Sequence, residues 1–117
     1  MEIVGSPAEK IRETTAVVFV ENSYKEHSKP NYSEMVFEKE GSNATRVGYS
    51  NYMTGEPIWV RVKASIVPLQ PNHYRLQCQA YMVRDKGEGL FEEEIKLSSM
   101  HARSYQKLID EVAHRLR

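Results

Sequence analysis

Four histidines, one cysteine and a run of three glutamates are the side chains of this 117-residue chain that could do chemistry. His27, His73, His101 and His114 are scattered, and His101 and His114 stand thirteen residues apart. None pairs with another histidine, with Cys78 or with a carboxylate at a metal-ligand spacing such as H-x-x-x-H, so solvated histidines are the simpler reading. A nucleophilic cysteine needs exposure and a cationic or helix-terminal setting to lower its pKa. Cys78 instead falls between Leu76 and Ala80 at apolar positions, where a thiol behaves as a small hydrophobe. Glu92, Glu93 and Glu94 offer a carboxylate pair for acid–base work. Successive strand residues point to opposite faces, so only Glu92 and Glu94 would share one, with Lys96, Arg75 and Arg84 as expected neighbours. Cross-strand charge pairing accounts for them without catalysis. The glycines of "DKGEG" lack the following helix that would make a phosphate site. The sequence therefore names no catalytic residue, no metal ligand and no cofactor.

A surface is the more informative feature. Trp59, Arg61 and Lys63 alternate along one segment, and Arg75, Gln77, Gln79 and Tyr81 along the next. If the two segments are adjacent strands, all of these side chains project from one sheet face. Aromatic and guanidinium groups are enriched at binding hot spots, so Trp59, Arg61, Lys63, Arg75, Gln77 and Tyr81 are the candidate partner-binding residues. The same mixture could stack single-stranded bases, or it could be a solvated face in which cations shield aromatic rings. Sixteen basic against sixteen acidic residues leave no field to gather a polyanion, which argues against nucleic acid and for a protein partner. Nothing in the sequence sets the oligomeric state.

The elements that must position this face read as follows. In "SSMHARSYQKLIDEVAHRLR" the residues Tyr105, Leu108, Ile109, Val112 and Leu116 form one helical stripe. Ser98 or Ser99 is the expected N-cap, and Arg115 and Arg117 suit a helix C-terminus. In "PIWVRVKASIVPL" the residues Ile58, Val60, Val62, Ala64 and Ile66 alternate with polar ones, as do Tyr74, Leu76, Cys78, Ala80 and Met82 in "NHYRLQCQAYMVRD". That period predicts strands with one buried and one wet face, joined by a turn in the proline- and asparagine-bearing "VPLQPNH". "YSEMVFEKE" and "TRVGYSNYM" flank the hairpin signal "GSNA", and "FEEEIKLS" reads as a last strand.

The segment from Ser6 to His27 is ambiguous. "SPAE" looks like a capping box, with Ser6 at N-cap, Pro7 at N1 and Glu9 at N3. Ala8, Ile11, Thr15, Val18 and Phe19 then lie within about 100° of helical arc. Val17 and Val20 fall off that stripe, and "TTAVVFV" is rich in β-branched residues that favour strands. The cap and stripe favour the helix. The order is then helix, four or five antiparallel strands, helix: a two-layer α+β sandwich forming a single domain over residues 1–117.

At 40% hydrophobic and 27% charged residues the composition is that of an ordinary globular domain. One cysteine excludes an intrachain disulfide. No apolar run is long enough to span a bilayer, and no basic region followed by an apolar stretch marks a signal peptide. The expected compartment is the periplasm or cell envelope if a signal segment was removed, and the cytoplasm otherwise. Sequons at Asn31 and Asn43 would matter only in a eukaryotic secretory chain.

The Pro-started helix at "SPAEKI", the strands through "VFEKE", "WVRVKASI" and "YRLQCQAYMV", and the closing helix at "YQKLIDEVAHRL" give a layout that resembles the helix-grip-like domains of bacterial envelope lipoproteins of the BamC type. The resemblance is one of element order across nearly the whole chain, so it carries no functional residue over. It implies a structural or partner-binding role in the cell envelope rather than catalysis. The expected function is thus a non-catalytic interaction or scaffolding domain. The alternative is a small-molecule or lipid carrier, or an enzyme, with a gap between sheet and helices lined by Phe37, Tyr74 and Met82.

Overall fold

The computed structural model describes residues 1–28, 34–40, 59–84, 92–96 and 103–117. In chain order these form β1 (Glu2–Val4), α1 (Ala8–Glu21), β2 (Lys25–Glu26), β3 (Met35–Glu40), β4 (Trp59–Gln70), β5 (His73–Arg84), β6 (Glu93–Lys96) and α2 (Arg103–Arg115). The strands make one antiparallel sheet in the order β1-β5-β4-β3-β2, with β6 also on β5. β1 takes the His73–Arg75 end of β5 and β6 takes the Tyr81–Arg84 end. The α+β sandwich expected from the sequence is present. Two short strands, β1 and β2, add to the four that the alternation located. The hairpin proposed around "GSNA", the strand proposed in "TRVGYSNYM" and the caps proposed at Ser98 or Ser99 lie outside the described residues. Among the described residues no helix is long and apolar enough to cross a membrane.

Ser6 to His27 resolves in favour of the helix. Ile11, Thr15, Val18 and Phe19 are buried, while Val17 and Val20 are 49% and 53% exposed. Five β-branched residues among the seven from Thr14 to Val20 are tolerated because propensity differences are a few tenths of a kcal/mol each, whereas each buried apolar side chain contributes about 1.5–3 kcal/mol. The capping box is not formed as expected. The helix starts at Ala8, so its N-cap is Pro7, which has an extended backbone and no side-chain hydrogen bond to offer.

The other end of α1 carries a motif that the sequence reading missed. Tyr24 N–H donates to the Phe19 carbonyl and Ser23 N–H to that of Val20, at 3.1 and 3.2 Å. This is a Schellman ending, and the Tyr24 ring meets Phe19 edge-on at 5.1 Å, as the motif's hydrophobic contact requires. Its left-handed position is held by Ser23 at φ 73° rather than by glycine. A Cβ there costs about 1–2 kcal/mol, part of which glycine returns as unfolded-state entropy. Ser23→Gly is therefore expected to stabilise the domain by about 0.5–1 kcal/mol in urea unfolding. A loss of stability would show that the Ser23 side chain contributes more than its backbone strain.

β4 and β5 run further than the two prolines suggested. Pairing continues past an irregularity at Pro68/Gln70 to Gln70↔His73, leaving only Pro71 and Asn72 as the turn. Asn72 sits at φ 58°, a conformation asparagine tolerates. The inner face of the sheet presents Met35 and Phe37 from β3, Val60, Val62 and Ala64 from β4, and Leu76, Ala80 and Met82 from β5, all buried. Against it pack Ile11, Val18 and Phe19 of α1 and Leu108, Ile109 and Val112 of α2. Phe19 stacks on Phe37 at 4.6 Å between ring centroids, 14° from parallel. Arg115 donates across the helix pair to Glu21 at 2.7 Å and within α2 to Glu111 at 2.9 Å.

Candidate functional site

The outer sheet face is built by strand alternation and register together. On β3, Met35 and Phe37 point inward, so Val36, Glu38 and Glu40 point outward. Register then aligns one row across five strands: Lys25, Glu38, Arg61, Tyr81 and Lys96 lie opposite one another in turn. The neighbouring rows are Glu40, Trp59, Val83 and Glu94 on one side, and Val36, Lys63 and Gln79 on the other.

Arg61 is the centre of this face. Its Nε and Nη2 donate to Glu38 Oε2 at 3.1 and 3.0 Å, Nη2 also to Glu92 Oε1 at 3.1 Å, and Nη1 to Glu94 Oε2 at 2.7 Å. Lys63 Nζ donates to the other oxygen of Glu94 at 2.8 Å and lies 4.7 Å from the centre of the Tyr81 ring. Glu38 is only 3% exposed, and His27 Nε2 lies 3.6 Å from its Oε1. Burial works against the Arg61 charge, but the Glu94, Glu38 and Glu92 carboxylates outweigh it and hold the guanidinium further above its ordinary pKa. Burial likewise pushes the Glu94 carboxyl up, and the hydrogen bonds from Lys63 and Arg61 more than reverse this, so it is held below its ordinary value.

Beside this network lies an open cleft of about 450 Å³, whose described lining is His27, Glu34, Val36, Glu38, Arg61, Lys63 and Glu92. That volume is within the range of ligand pockets, but its walls are charged, where such pockets are mainly apolar. The chemistry it can offer is ion pairing and hydrogen bonding to a polar partner. Among the described residues no three histidine, cysteine or carboxylate side chains are placed to hold a metal ion.

No family model, curated protein or solved structure matches this chain.

Of the six residues singled out in the sequence, the structure brings Arg61, Lys63 and Tyr81 together. Trp59 stands one row away, opposite Val83, which is fully buried although it belongs to the outer face. That end of the face is therefore not a simple solvated surface. Gln77 and Arg75 lie further along β5, opposite Ser65 and Val67, and Arg75 approaches Glu2 at 3.6 Å rather than the acidic run. The expected pairing of Glu92 and Glu94 with Arg75 is thus corrected: β6 joins the opposite end of β5, where Arg61 and Lys63 are within reach. The side chain of Arg84 lies outside what is described.

Sequence reasoning missed Glu38, Glu34, Val36 and His27. The alternation of "MVFEKE" could have placed Val36 and Glu38 on the wet face. Only cross-strand register sets Glu38 against Arg61, and only the short strand β2 brings His27 to it. Cys78 takes the inner face as expected but is only partly buried there, and burial pushes its thiol up to about 12. His73 Nε2 lies 3.2 Å from Glu2 Oε2 at the far corner of the sheet. Phe37 and Met82, which the carrier reading placed along an internal gap, are fully buried, with Phe37 stacked on α1.

Proposed function

We propose that this chain is a non-catalytic interaction domain that engages a protein partner through its outer sheet face. The observation that carries the reading is the open polar cleft beside the Arg61 network, on the face opposite the packed helices. The helices cover the inner face, and among the described residues neither helix packs on the outer one. Trp59 and Tyr81 beside the cleft provide rigid aromatic area of the kind that anchors interfaces. The resemblance in element order to envelope lipoprotein domains supports the bacterial cell envelope as the setting. The carrier reading places its gap at Phe37 and Met82, where the Phe19–Phe37 stack fills the space, and the cavity between β5 and α2, lined by Leu76, Cys78, Tyr105 and Ile109, is smaller at about 250 Å³.

The reading is tested by photo-crosslinking in the native host, with the reactive residue placed at Gln77, Tyr81 or Lys63 on the sheet face and at Val17 or Val20 on α1. Protein adducts are expected from the sheet positions and should be lost when Trp59 is replaced by alanine. Adducts confined to the α1 positions, or sheet adducts indifferent to Trp59→Ala, would overturn it.

A further inference from the structure

We infer that the outer-face cleft takes a basic segment of the partner, seating an arginine or lysine side chain against Glu34 and Glu92. The inference rests on the interaction reading above and names the chemistry of the same face. Charge complementarity decides the sign. Both cations that line the cleft among the described residues are already engaged: Arg61 through four hydrogen bonds to three carboxylates, and Lys63 through Glu94 and the Tyr81 ring. An anionic ligand would have to break one of these pairs, which gains little because one ion pair replaces another.

The carboxylates are less fully engaged. Glu34 is exposed at the cleft, and among the described residues no ion pair or hydrogen bond involves its side chain. Glu92 meets Arg61 through one oxygen, Oε1, leaving Oε2 for a further donor. Val36, half-buried in the same lining, gives the aliphatic stem of a lysine or arginine an apolar seat. A guanidinium or ammonium entering here adds ion pairs and breaks none.

The test uses the full chain and two fluorescent octapeptides of the pattern Gly-Ser-X-Gly-Ser-X-Gly-Ser, with X as arginine or as glutamate, titrated by anisotropy at low and at near-physiological salt. The arginine peptide is expected to bind at least about tenfold more tightly than the glutamate peptide, and to weaken with salt as exposed ion pairs do. Glu34→Gln combined with Glu92→Gln should weaken it about three- to tenfold, the range for two exposed pairs. The control pair Glu9→Gln and Glu13→Gln on the exposed side of α1 should leave it unchanged. Glu34→Gln alone breaks no ion pair or hydrogen bond among the described residues, so its effect is read separately from any loosening of Arg61. Equal binding of both peptides, preference for the glutamate peptide, or equal weakening by the α1 control would overturn the inference. Each of these results leaves the crosslinking test of the face itself standing.

Discussion

Replacing Arg61 with alanine is expected to cost about 3 kcal/mol of stability at neutral pH, because it takes two charge-assisted hydrogen bonds from the buried Glu38 carboxylate. Glu38 is 3% exposed, and Arg61 meets it with two N–H groups. Urea unfolding of wild type and Arg61→Ala at pH 7 checks the size. Adding Glu38→Gln should recover most of the loss, since the buried charge is then gone. A penalty below about 0.5 kcal/mol at pH 7, of the size expected for exposed pairs, would mean that Glu38 does not depend on Arg61.

The second large effect lies on the other face of the sheet. Phe37→Ala is expected to destabilise the domain by about 3–5 kcal/mol, the range for removing a buried aromatic ring and leaving a cavity. Phe37 is fully buried, and its stack on Phe19 is a direct contact between the sheet and α1. Val17→Ala, half-exposed on the same helix, should change stability by no more than about 0.5 kcal/mol, as surface substitutions do. The contrast between the two, read by thermal or urea unfolding, also tests whether "TTAVVFV" is helical. Were the segment a strand, alternation would place Val18 and Val20 on one face and Val17 and Phe19 on the other. Val20→Ala would then cost as much as Val18→Ala.

Much of the architecture was legible because it rests on local periodicity. Val60, Val62 and Ala64 alternate with Arg61 and Lys63 in the sequence, and in the structure the first set is buried while the second faces out. Leu108, Ile109 and Val112 keep the helical spacing and are the buried residues of α2. The α1 capping box was misread by one position because a helix start depends on the conformation of a single residue. Ser-Pro offers two candidates for it, and the backbone settles on Pro7. The strands β1 and β2, of three and two residues, carry no period long enough to detect and exist only because a neighbouring strand supplies their hydrogen bonds.

The candidate site shows the same division more sharply. That Trp59, Arg61, Lys63 and Tyr81 belong to one wet face follows from alternation, a property of each strand alone. Which charges meet there does not. Glu38 is fixed by the β3–β4 register, and Glu92 and Glu94 by the choice of which end of β5 receives β6, with His27 following from the pairing of β2 to β3. Side-chain direction is set within a strand every two residues, so the sequence by itself determined the two faces, the two helical stripes and the α+β layering. Partnership across strands depends on register and on edge choice, which are set by packing over the whole sheet. Only the tertiary structure could turn a row of outward-facing cations into an arginine spent on three carboxylates.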